Sequence, residues 1–284
     1  MNAAEISQYS QYHNANMRLL NIGFAEIKNQ IKRTYKAKNR KGRFIYSFAD
    51  SVAEKINMRN VEKSLSRILS GIQVSWAEES IKRLLYEPNL FDDGQRDYLI
   101  QRSALDQKWF RALHITFCIA YDLVPPSDRN CGSVIIGRER RNLGNELVDQ
   151  YFELKSIIRD FLVPNFSIRN KVQHGEWEYA FRPQYSKEFS PEITQTLNHE
   201  NIITTVSRFT LVKAFYQMLV DMGRFRSNSF ALDSMQTPFE YFYKHSMQKI
   251  KYEMKKIADP KLDDFINDIV SKEVRGAGYR NNQC

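Results

Sequence analysis

Leu105-Asp106-Gln107-Lys108-Trp109-Phe110-Arg111-Ala112-Leu113-His114-Ile115-Thr116-Phe117-Cys118-Ile119-Ala120-Tyr121 sets a large apolar side chain at every fourth position: Leu105, Trp109, Leu113, Phe117 and Tyr121. That spacing keeps them on one side of an α-helix, whereas a strand would need alternation in steps of two. From His114 to Leu123 the stretch is apolar nearly all round, which predicts burial on several sides. The spacing predicts a helical stretch over 96–123, closed by Pro125-Pro126.

The same period recurs outward in both directions. Met17, Leu20, Phe24, Ile27, Ile31 and Tyr35 define a helix over about 5–38. Phe48, Val52, Ile56, Val61, Leu65 and Leu69 define a second over 47–70, with Gly71 as its stop. Ser75-Trp76-Ala77-Glu78 reads as a capping box opening a short helix to Leu85, and Glu87-Pro88-Asn89 and Asp92-Asp93-Gly94 read as turns. Beyond the loop 127–142, Leu147, Tyr151, Leu154, Ile158 and Phe161 mark a helix ending before Pro164. A new helix is expected to start at Asn165 or Ser167, both able to cap. The polar stretch 182–198 leads to a helix over 200–223 with Ile203, Val206, Phe209, Val212 and Phe215 or Tyr216 inward. Helices over 237–257 and 260–271 and a fraying tail complete an all-α reading.

Composition agrees. A 42% apolar content, 13% aromatic, suffices for a packed core, and eight prolines with eleven glycines are few for a turn-rich β fold. Cys118, Cys131 and Cys284 are odd in number and widely spaced, which suits reduced thiols. The N-terminus lacks a signal pattern and no run is long and apolar enough for a membrane span, so a cytoplasmic protein with no membrane partner is expected. The net charge of +9 is uneven: residues 1–45 hold nine Lys/Arg against Glu5 and Glu26. Lys36, Lys38, Arg40 and Lys41 lie in that excess, which is either a footprint for a polyanion such as RNA or a solvated helix end.

Arg169-Asn170-Lys171-Val172-Gln173-His174 carries the chemistry. A permanent cation stands five positions before the side chain best able to exchange a proton near neutral pH, with Asn170 as a neutral donor and acceptor. This resembles the motif of the HEPN superfamily, an Arg, a polar residue and a His after four to six intervening positions. The resemblance covers about 96–225 and implies a HEPN-like helical bundle with additional N-terminal helices. It divides the chain into a basic helical region 1–95, a HEPN-like domain 96–225 and C-terminal helices 226–284. It also implies a metal-independent endoribonuclease without cofactor, in which the 2′-hydroxyl of RNA attacks the adjacent phosphate. Arg169 and His174 are then the catalytic pair, with Asn170 supporting them. Such chemistry needs a base, an acid and a cation for the developing phosphate charge.

One Arg and one His are an incomplete set, and on an ideal helix a spacing of five turns them ~140° apart. Either the helix bends near Gly175 or the pair is completed elsewhere; members of the family complete it by homodimerising, with both pairs lining one cleft. The resemblance further implies a role in prokaryotic defence or as a toxin, and an antitoxin or regulatory partner. Some toxin members place a Tyr two positions after the His, where this chain has Glu176, with Tyr179 the nearest tyrosine. That argues against the subgroup silenced by a nucleotidyltransferase. The competing class is a non-catalytic nucleic-acid-binding or scaffold protein.

Other residues admit two readings. Arg138, Arg140, Arg141 and Lys171 could hold RNA phosphates, or belong to solvated surface. His114 and Cys118, one turn apart, could ligate zinc with Cys131, but their apolar surroundings favour a buried core and no metal. Trp76, Trp109 and Trp177 suit base stacking or the core, Trp177 standing three positions from His174. His13 and His245 have no evident partner in sequence.

Overall fold

The computed structural model describes residues 1–41, 48–101, 104–121, 123, 143–174, 176, 179–182, 185–224, 238–269 and 271. The described chain is helical, with one small antiparallel hairpin. In order it forms α1 (Ala3–Lys41), α2 (Phe48–Leu85), α3 (Asp93–Ile100), α4 (Leu105–Ala120), α5 (Asn145–Ile157), a π-helical turn (Ile158–Leu162) and α6 (Val163–Gln173). Then come β1 (Phe181–Arg182), β2 (Tyr185–Phe189), α7 (Pro191–His199), α8 (Ile202–Arg224) and α9 (Pro238–Ala258), with residues 262–269 also helical. No helix among the described residues is long and apolar enough to cross a membrane.

Several boundaries differ from the expected ones for local reasons. Gly71 does not stop a helix; α2 runs through it, and a Cβ there would meet nothing. A glycine inside a helix costs only ~1 kcal/mol relative to alanine. Leu69, Val74, Ala77 and Ile81, all nearly or fully buried on either side of it, outweigh that. Ser75 therefore opens no helix, and Glu78 instead reaches Lys82 one turn on at 3.3 Å. The stretch 96–123 splits into α3 and α4. Asp92, expected in a turn, is the N-cap of α3: its side chain accepts from the Gln95 amide while the Gln95 side chain accepts from the Asp92 amide.

The helix expected to end before Pro164 continues past it. Proline has no N–H and its ring clashes with the carbonyl four residues back, so an α-helix cannot run straight through. Here the turn before it widens to π geometry, with the Val163 amide bonded to the Ile158 carbonyl, and α6 proceeds with Pro164 in its first turn. Ser167 caps nothing; its hydroxyl donates back to the Pro164 carbonyl at 2.7 Å. The polar stretch 182–198 contains β2 and α7. Strands this short leave too few alternations for the period-two signal to register.

The described chain divides into two compact units, each drawn from three separate stretches, so neither follows the cuts at about 95 and 225 suggested by the sequence. The first comprises Met1–Leu19, Val74–Ser167 and Arg208–Met254. Its core centres on α4, where Trp109, Leu113, Ile115, Phe117 and Cys118 have no exposed surface. Edge-on aromatic contacts knit it: Trp109 to Phe215 with ring centres 5.9 Å apart, and Trp76 to Phe209 at 5.5 Å. Trp76 and Trp109 are thus core residues.

The second unit comprises Leu20–Gln73, Ile168–Ser207 and Lys255–Cys284. Within it the Tyr35 hydroxyl of α1 donates to the Glu62 carboxylate of α2 at 2.8 Å. Asn201 and Thr204 cap α8 reciprocally: the Asn201 side chain accepts from the Ile203 and Thr204 amides, and the Thr204 hydroxyl accepts from the Asn201 amide. This turns Thr204 and Thr205 inward and leaves the expected core residues Ile203 and Val206 half-exposed.

Candidate functional site

The final turns of α6 place the Arg–His motif. Ile168 and Val172 lie inward and form a small apolar cluster with Leu197 of α7. A helix anchored through positions 168 and 172 must turn 170, 173 and 174 outward, and Asn170, Gln173 and His174 are all exposed. Arg169 falls between the faces and is half-buried. Its Nη1 donates to the Asn170 side-chain oxygen at 3.2 Å.

The helix does not bend before His174. The His174 amide still bonds the Asn170 carbonyl, four residues back, and shares itself with the Lys171 carbonyl, both at 3.1 Å. The turn closes with the Glu176 amide on the Lys171 carbonyl, five residues back, at 2.9 Å. His174 is the last residue before that ending. Side chains four apart share a face, so Asn170 is the helical neighbour of His174, while Arg169 stays ~140° away around the axis. Arg169 is tied to the histidine's face through its hydrogen bond to Asn170.

Lys171 does not present its ammonium to solvent as a phosphate-binding role would need. Its side chain is 9% exposed and its Nζ reaches Glu176 Oε2 at 3.0 Å, so its charge is spent within the chain. Lys36 is half-buried on α1. The backbone of Lys38, Arg40 and Lys41 continues α1, but their side chains lie outside the described residues, as do Arg138, Arg140, Arg141 and Trp177.

His114 and Cys118 belong to the core. They are 3% and 0% exposed, with Cys118 Sγ 3.7 Å from His114 Nε2. Burial pushes the thiol up to about 12; burial, with the charge of Lys155 adding to it, pushes the imidazole down to about 4. A thiol held in its protonated form packs well but is a poor start for a zinc site, which needs the thiolate, and Cys131 lies outside the described residues. Among the described residues no three of His, Cys, Asp and Glu gather as a metal site.

Sequence reading missed the partner of His13. Its Nδ1 lies 2.6 Å from Glu79 Oε1, an oxygen that also accepts from the Asn16 side chain at 2.7 Å. Burial raises the Glu79 carboxyl, but those two hydrogen bonds and the charges of His13 and Lys82 outweigh it and leave it below the usual carboxylate range. The His13 ring stacks on Tyr86, which stacks in turn on Tyr9. In the same unit Glu87, 2% exposed, is held between Arg83 and Arg224. Arg83 and Glu87 are one helical turn apart, but Glu79 lies tens of residues from His13 and Asn16, and Glu87 from Arg224, so no local spacing announces those partners. His245 is satisfied locally, its Nδ1 donating to the Tyr241 carbonyl at 2.9 Å.

Compared with protein-family models, with curated proteins and with solved structures, the chain shows no significant match.

Proposed function

We propose that this chain is a metal-independent endoribonuclease of HEPN type, working as a homodimer whose two copies of the α6 end line one cleft. The observation that carries the reading is the Arg169–Asn170 hydrogen bond, one helical turn before an exposed His174. It ties a cation suited to phosphate to a neutral amide on the helical face that also carries a side chain suited to proton transfer.

In the proposed reaction His174 of one copy takes the proton from the 2′-hydroxyl. The alkoxide attacks the neighbouring phosphorus, forming the 2′,3′-cyclic phosphate and breaking the bond to the 5′-oxygen. His174 of the second copy protonates that leaving oxygen, and Arg169 neutralises the charge gathering on the non-bridging oxygens. Each chain supplies only one histidine to this site, and the straight helix holds Arg169 away from its own His174. Two-fold symmetry supplies the missing groups. Dependence on the 2′-hydroxyl makes RNA, and not DNA, the substrate.

The test is cleavage of RNA in the presence of EDTA by wild type, Arg169→Ala and His174→Ala, with binding measured alongside. Loss of cleavage in both variants with binding retained supports the reading. Abolition by EDTA, or undiminished cleavage by either variant, overturns the mechanism. RNA binding without any cleavage by wild type would favour the non-catalytic class, in which the basic segment around Lys36 acts alone.

A further inference from the structure

The ending of α6 is tied twice. The backbone tie is the Glu176 amide on the Lys171 carbonyl at 2.9 Å. The side-chain tie joins the same two residues: Lys171 Nζ lies 3.1 Å from Glu176 Oε1 and 3.0 Å from Oε2. Both partners are largely withdrawn from water, with side chains 9% and 21% exposed, so the attraction between them is little screened. Helices commonly end on a backbone turn alone, with no ion pair across it. A second tie between residues already joined adds rigidity to what lies between them. What lies between them is His174, three positions after Lys171 and two before Glu176. The imidazole is exposed, and the backbone beneath it sets where its Cα–Cβ bond points.

We infer that Lys171 and Glu176 are positioning residues, an ion-pair lock across the α6 ending that holds His174 in register for proton transfer. The inference rests on the reading of His174 as a proton carrier. It also explains why a cation inside the motif is turned away from RNA: its charge is used to brace the turn. A loosened turn lets the imidazole sample directions that do not meet the substrate, which lowers turnover more than binding.

The experiment compares Lys171→Met, Glu176→Gln and the double variant with wild type and His174→Ala. It measures RNA cleavage kinetics in EDTA and amide hydrogen exchange at residues 171–176. The double variant strands neither charge in the partly buried site, so it guards against loss of folding in either single one. Expected is a fall in kcat of about tenfold with KM within about twofold, and exchange faster by about tenfold at the His174 and Glu176 amides. The double variant should be no worse than either single one, because the lock is lost only once. If His174→Ala abolishes cleavage but the three lock variants keep wild-type kcat, the positioning role is overturned and the nuclease reading stands. It is equally overturned if kcat falls while exchange at those amides is unchanged. Full cleavage by His174→Ala overturns the nuclease reading and this inference with it.

Discussion

Two histidines on helices of this protein meet opposite fates. His114 lies in α4, 3% exposed, its imidazole pushed down to about 4 and its Nδ1 buried with no hydrogen-bond partner among the described residues. His174 stands exposed at the ending of α6, braced on both sides by Lys171 and Glu176. The first ring is kept neutral by desolvation and cannot meet a substrate. The second is open to solvent and sits on the same helical face as Asn170. A histidine becomes a candidate for proton transfer through the exposure its helix imposes.

The comparison breaks most visibly in activity. Arg169→Ala and His174→Ala should each lower the rate of RNA cleavage in EDTA by about 10³-fold, the scale of removing a proton-transfer group or a transition-state cation. His174→Ala should leave thermal unfolding within a degree or two, because the residue it removes is exposed. A melting point that falls sharply in His174→Ala would place that side chain in the core with His114.

Next comes the chemistry of the α4 neighbour. A thiol raised from 9 to about 12 has its thiolate fraction at pH 8 cut by about 10³-fold, before steric protection is counted. Alkylation followed by peptide mapping should find Cys118 unmodified in the native protein and modified in denaturant. Rapid native labelling at Cys118 would mean that α4 opens readily.

The pH dependence of stability sharpens the contrast further. An unfolded His114 takes up a proton near 6.5 and the folded one only near 4. Between those values the unfolded chain binds more protons, so stability is full above about 6.5 and falls as pH drops towards 4. The loss attributable to His114 is about 3 kcal/mol. His114→Leu, of similar volume and with no polar atom to strand, should flatten that part of the urea-midpoint profile between pH 7 and 4. Glu79, whose folded carboxyl is held low by His13 and Asn16, contributes acid sensitivity of the same sign and remains in both proteins. An identical profile in His114→Leu would exclude a buried neutral ring.

The smallest effect is expected at the Asn170 amide. Asn170→Ala removes the acceptor for Arg169 Nη1 without altering Arg169 or His174, and should lower kcat by about tenfold with stability unchanged. A loss as large as that of His174→Ala would make Asn170 a direct participant.

The legibility of fold and site tracked the range of the interactions involved. Leu113, Phe117 and their neighbours announced a buried helix because a periodic apolar run has few other solutions. Gly71 and Pro164 misled because each carries a local preference of only a few kcal/mol or less, which packing on both sides can override. The π turn before Pro164 and the hairpin near 185 come from small local adjustments that leave almost no periodic trace. The Arg169–His174 spacing was visible at once. The ion pair that removes Lys171 from any surface role was not, since a charged side chain looks the same in sequence whether solvated or sequestered.

The amino-acid order by itself determined that this chain is helical, that α4 is core, and that a cation, an amide and an imidazole lie within six residues of one another. These follow from periodicity and chemistry that act over a turn or two of chain. Only the tertiary structure decided that His13 pairs with Glu79 and how far burial pushes the His114 ring towards its neutral form. It also decided that α6 stays straight to His174, leaving Asn170 as that residue's neighbour on the helix face. Those outcomes depend on which distant surfaces exclude water together, and that is settled when elements pack.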